Sequence, residues 1–225
     1  MFYDGTWFIY MLPALIFSMI ATGKVQSAYN KYRQEMSMLG MTGQQVAKQI
    51  LQNNGIMDIA VIRHEGVMSD HYDSRKGIIA LSSDVFGGST IASIAIAAHE
   101  AGHAVQLEEG YLPLKIRHAL VGVTSFATSA SYIFILLGLF FDNFFGQIGI
   151  ALFLIIFIFQ VVTLPVEYNA SKRALQELES VGATQSDVLA SSKMLNAAAL
   201  TYVAAMLTAL AQLLRLLSLF GRRRR

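Results

Sequence analysis

From Phe144 to Val166 no residue carries a charge, and Ile, Leu and Phe dominate. At about 1.5 Å rise per residue, a helix of that length exceeds the roughly 30 Å of a bilayer's hydrocarbon core. In hydrocarbon every backbone polar group must bond within the protein, so the segment is predicted to be a spanning helix. Three more blocks share this character: Trp7 to Thr22 (counted from Phe2, and broken by Pro13), His118 to Phe141, and Ala197 to Phe220 with Arg215 as its one charge. No basic residue precedes the first block, which reads as an uncleaved span rather than a signal peptide, with Trp7 and Tyr10 suited to an interfacial belt. Composition agrees: 54% of residues are hydrophobic and 14% charged.

The polar section lies between the first and second blocks. Val25 to Met38 is spaced like a helix that Gly40 stops. Thr42 is a candidate N-cap for a second helix, Gly43 to Gln52. Ile56 to His64 alternates like a strand, Ser69 to Lys76 is a polar loop, and Gly77 to Ser82 is a second short strand. A helix then starts at Ser89 or Thr90 and runs to about Gln106.

That helix carries His99-Glu100-Ala101-Gly102-His103. Residues i and i+4 share one helix face, so the two imidazoles can converge on one zinc ion, with Glu100 placed as general base toward a water. The chain has no cysteine, so zinc must be held by His and carboxylate. Gly102 costs the helix about 1 kcal/mol relative to Ala, which a close backbone approach beside the metal would explain. Two His do not complete a site. Glu167, where the third block ends, is the first candidate for a third ligand, ahead of His64, His71 and His118; Glu177 and Glu179 lie further along the same segment.

His99-Glu100-Ala101-Gly102-His103 followed by Glu167-x-x-Ala170-x-x-x-Ala174 resembles the gluzincin pattern of the HtpX and Ste24 membrane peptidases. Those usually read E-x-x-A-D, and Ser171 stands here in the Asp position, so the usual carboxylate behind the ligands is missing there. Asp70-His71-Tyr72-Asp73, Ile78 to Ser82, the motif helix, Gly110-Tyr111-Leu112-Pro113-Leu114 and Glu167-Tyr168-Asn169-Ala170-Ser171 resemble more closely the YugP family of bacterial membrane zinc metallopeptidases. The resemblance implies peptidase chemistry, a Zn²⁺ cofactor and Glu167 as third ligand.

The resulting expectation is a mainly α, multi-pass protein with about four transmembrane helices and a small α+β zincin-like section inserted between the first and second. Its parts are 1–23, first span; 24–117, catalytic section; 118–166, second and third spans; 167–196, third-ligand helix and connector; and 197–225, fourth span and basic tail. His71, Tyr72 and His118 are candidate donors to the oxyanion. Ile78, Ile79, Ala80 and Leu81 form a candidate edge strand for an extended substrate. The expected partners are the bilayer and a protein or peptide substrate, membrane proteins included; a net charge of +2 gives no reason to expect nucleic acid.

Lys24, Lys31, Arg33, Lys115, Arg117, Lys172 and Arg173 place the site toward the cytoplasm of a cell membrane by the positive-inside rule, whereas Arg222 to Arg225 argue against it. The rival reading is a non-catalytic zinc-binding scaffold or partner-binding protein, which would not need Glu100. An intramembrane-cleaving protease would carry the motif inside an apolar span, but polar residues flank it here. A metal transporter would pair ionisable residues within its spans.

Overall fold

A computed structural model describes residues 5–221; the expected tail Arg222 to Arg225 lies outside the described residues. The elements run α1 (Thr6–Tyr32), α2 (Gly43–Asn53), β1 (Ala60–His64), β2 (His71–Asp73), β3 (Ile78–Ser82), α3 (Ser83–Gly87), α4 (Ile91–Glu108), α5 (Leu112–Phe140), α6 (Asn143–Ser180) and α7 (Gln185–Gly221). Four of the described helices, α1, α5, α6 and α7, are long and apolar enough to cross a membrane. Pro13 and Pro165 lie inside α1 and α6 without ending them.

The chain divides into two compact units. The first draws on the described residues up to Thr22, on Pro113–Pro165 and on those from Leu200 onward. Phe153, Ala209, Leu213, Leu216 and Phe220 are its buried apolar cluster. A Cβ on Gly146 would lie 2.2 Å from Phe220 Cε1, so glycine is what lets the aromatic ring seat against α6. Tyr10 accepts from Ser218 Oγ at 3.1 Å, and the Ser18 and Thr208 hydroxyls lie 3.2 Å apart. Ile9, Ile16, Met19, Phe126, Ile133 and Phe140 are each at least half exposed, an outward apolar face of the kind lipid would cover.

The second unit, Gly23–Leu112 with Val166–Ala199, holds the sheet, in order β1-β3-β2. β1 runs parallel to β3 from Ala60↔Ile78 to His64↔Ser82, and β2 runs antiparallel to it from His71↔Ala80 to Asp73↔Ile78. Ile79, Ala80, Leu81 and Ser82 are all buried, as befits a central strand covered on both faces. The core gathers Val46 and Ile50 of α2, Ile79 and Leu81 of β3, Ile91 and Ile94 of α4, and Leu178 of α6.

Several boundaries differ from the sequence expectations. The expected helix from Val25 to Met38 is the end of α1, which stops at Tyr32. Beyond it the chain pairs with the approach to α4: Ile91 N donates to Glu35 O and Ser37 N to Ser89 O. The buried Asp187 carboxylate accepts from Ser37 Oγ and Met38 N, tying this segment to the first turn of α7. The region read as a polar loop contains β2, whose turn into β3 is built by Asp73 Oδ1 accepting from Arg75 N and Lys76 N, with Gly77 at φ +63°. Ile78, Ile79, Ala80 and Leu81 are not an edge: β1 and β2 flank their strand, and Asp70 Oδ1 takes Ser82 N at 2.6 Å. α6 runs as one helix through Val166 and Glu167.

Candidate metal centre

α4 begins at Thr90, whose hydroxyl accepts from Ser93 N, and its alanines make it thin enough to be buried nearly all round. Its i,i+4 spacing sets the His99 and His103 rings side by side, centroids 4.8 Å apart and planes 82° apart. α6 supplies Glu167. One carboxylate oxygen, Oε2, stands 3.3 Å from His99 Nε2 and 3.5 Å from His103 Nε2. Among the described residues these three form the group whose ligand atoms converge, all within 4.8 Å of one another. His103 and Glu167 are buried, and His99 is partly so.

Zinc suits this geometry. Two donors each about 2.0–2.1 Å from a tetrahedral zinc stand roughly 3.3–3.4 Å apart. The two His–Glu separations, 3.3 and 3.5 Å, lie close to that figure, and both imidazoles present Nε2 inward. Each Nδ1 faces a partner on the other side: His99 Nδ1 lies 3.2 Å from Ser171 Oγ, and His103 Nδ1 lies 3.0 Å from Gln106 Oε1. Ligating histidines are commonly held in this way. Where the sequence showed a missing carboxylate, the Ser171 hydroxyl takes the position beside His99.

Burial and charge act in opposite directions on these residues. Burial alone would push the His103 pKa down, but the hydrogen bond to Glu167 and the charges of Glu100 and Glu167 outweigh it and raise the value. Burial alone would push Glu167 up, yet hydrogen bonds from both histidines and their charges hold it far below the usual carboxylate range. The Glu167 carboxylate is therefore held ionised between the two imidazoles.

The close approach expected of Gly102 is present. A Cβ there would lie 2.9 Å from the Ala170 carbonyl oxygen, so glycine sets the spacing of α4 and α6 beside the ligands. Gly102→Val should cost about 1–3 kcal/mol by overpacking, despite ending the glycine's helix penalty. It should also weaken zinc binding, measured by chelator competition. Unchanged stability and affinity would show that the spacing does not matter.

The other candidate residues fall elsewhere. Glu100 is half-buried on α4 between the two histidines. His71 is exposed, its Nδ1 bonded to Ser69 O and its ring edge-on to His64. Tyr72 is half-buried on β2, its phenol pKa raised first by burial and then by Asp58 and neighbouring acids. His118 lies on α5 in the other unit. Glu177 accepts from Asn54 Nδ2, and Glu179 is exposed. Sequence reasoning missed Gln106, which is fully buried, and Asn169. The available signal was a glutamine three residues after His103, one helical turn along an otherwise apolar face.

Comparison with known proteins places this geometry in a family. The "Putative membrane protease YugP" of Bacillus subtilis (strain 168) is 40% identical over 217 residues, covering 95% of this chain and 96% of that protein. No solved structure matches the chain. The family described as "Putative neutral zinc metallopeptidase" matches residues 7–221. Across nearly its whole length, then, the chain belongs to that zinc metallopeptidase family.

Proposed function

We propose that the protein is a zinc-dependent endopeptidase of the gluzincin type, embedded in the cell membrane, with its site facing the cytoplasm. The carrying observation is the convergence of His99 Nε2, His103 Nε2 and Glu167 Oε2 in a chain of this family. His99, His103 and Glu167 would hold the metal, which when bound would supply Lewis acidity toward a water and a peptide carbonyl. Glu100, adjacent to the first ligand but not one itself, takes the water's proton and delivers it to the leaving nitrogen. The four apolar helices and the outward apolar face support embedding in a bilayer.

An extended substrate needs a free strand edge, and β3 has none. The outer side of β2 is one of two free edges, and β2 packs against α4, so we assign substrate pairing to it. Tyr72 is the proposed oxyanion donor, because it lies on β2, the strand that packs against α4. His71 and His118 are left as lesser candidates, the former already bonded to Ser69 O. Purified protein should contain zinc and cleave a denatured membrane-protein substrate. Chelation should abolish cleavage and added zinc restore it. Cleavage at full rate after complete metal removal would refute the proposal.

A further inference from the structure

Behind His103 runs a chain of hydrogen bonds whose direction can be followed atom by atom. Arg173 Nε donates to Asn169 Oδ1 at 2.8 Å. The same oxygen accepts from Gln106 Nε2 at 2.8 Å, and Gln106 Nε2 also donates to the Val166 carbonyl at 2.9 Å. Gln106 Oε1 then faces His103 Nδ1 at 3.0 Å. A guanidinium has donors and no acceptor, so Asn169 must turn its oxygen toward Arg173. Gln106 must in consequence turn its NH₂ toward Asn169, a choice the Val166 carbonyl reinforces. Its oxygen is left for His103, which must carry a proton on Nδ1. Arg173 is itself held by an ion pair with Glu109 at the end of α4.

We propose that Arg173 sets the direction of this chain, and that the chain, through Asn169 and Gln106, fixes the His103 tautomer with Nε2 bare toward the metal. Gln106 and Asn169 are thus positioning residues of the centre, and a neutral amide does the work that a carboxylate commonly does behind a ligating histidine. Both ligating histidines rest on neutral groups at Nδ1, Gln106 behind His103 and Ser171 behind His99. The inference rests on the zinc reading above.

The test compares zinc dissociation constants, by chelator competition, with ¹⁵N NMR of the histidines in the zinc-loaded full-length protein. Gln106→Met should weaken zinc by about 10–100-fold, the usual effect of losing an outer partner. Asn169→Leu should weaken it, whereas Asn169→Asp, which still accepts from both neighbours, should keep wild-type affinity. Arg173→Met, at a partly exposed position that leaves the core intact, should free the Asn169 amide to turn and weaken zinc less than Gln106→Met does, since the Val166 carbonyl still holds the Gln106 amide; wild-type affinity here would show that Arg173 does not set the direction. Wild-type His103 should show its proton on Nδ1. Gln106→Met with wild-type affinity, Asn169→Asp as weak as Asn169→Leu, or zinc on Nδ1 of His103 would each overturn the inference while leaving the peptidase reading standing. Wild-type protein that binds no zinc would overturn both.

Discussion

Glu100→Gln should keep zinc and lose activity. The amide preserves the side chain's shape and leaves His99, His103 and Glu167 untouched, so metal content measured on purified protein should match wild type. Without a carboxylate to accept the water's proton, cleavage should fall by roughly 10²–10⁴-fold, the range attributed to general acid–base catalysis. The scaffold reading predicts a silent substitution, since no proton moves in it. Wild-type cleavage by a zinc-loaded Gln variant would therefore end the peptidase proposal. Glu100 is half-buried on the helix that carries both histidines, so its replacement disturbs little packing.

Glu167→Ala should lose the metal itself. Its carboxylate is the third member of the cluster, is buried, and lies within 3.5 Å of both imidazoles. Two histidines alone leave zinc half-ligated, so occupancy should drop to background in a metal assay, and cleavage with it. Because metal binding is coupled to folding, the variant should also lose the rise in melting temperature that zinc gives the wild type. Glu177→Ala and Glu179→Ala should keep full occupancy, since neither side chain belongs to the converging group. Full occupancy in Glu167→Ala would reject the ligand assignment.

The parts of the site that sequence made legible are those governed by short-range geometry. His99 and His103 declare themselves because i,i+4 spacing on a helix is a local rule, and Thr42 and Thr90 declare their caps for the same reason. Glu167 needed the resemblance, because nothing in the residues around it says that α6 will pass α4. Gln106 stayed hidden because a buried amide gains its meaning from partners about sixty residues away in sequence, Val166 and Asn169.

β2 stayed hidden for another reason. Its three residues, His71 to Asp73, carry no alternating apolar pattern and are held by pairing with β3. The same pairing turned the expected substrate edge into a central strand. The end of α1 was misplaced because an apolar run passes into a polar one without a break near Thr22, as also happens near Val166 in α6. There hydropathy marks a change of surroundings, while the backbone continues as helix.

The two halves of the metal centre come from distant stretches of chain: His99 and its partner Ser171 stand 72 residues apart. A ribosome adding about 5–20 residues per second takes roughly 4–14 s to make that interval. For most of it the nascent chain carries His99, Glu100 and His103 but not Glu167, which stands 68 residues after His99. The proposed hydrolytic competence is thus deferred until α6 has been synthesised as far as Glu167, so a truncated chain ending before that residue is born without the complete converging group.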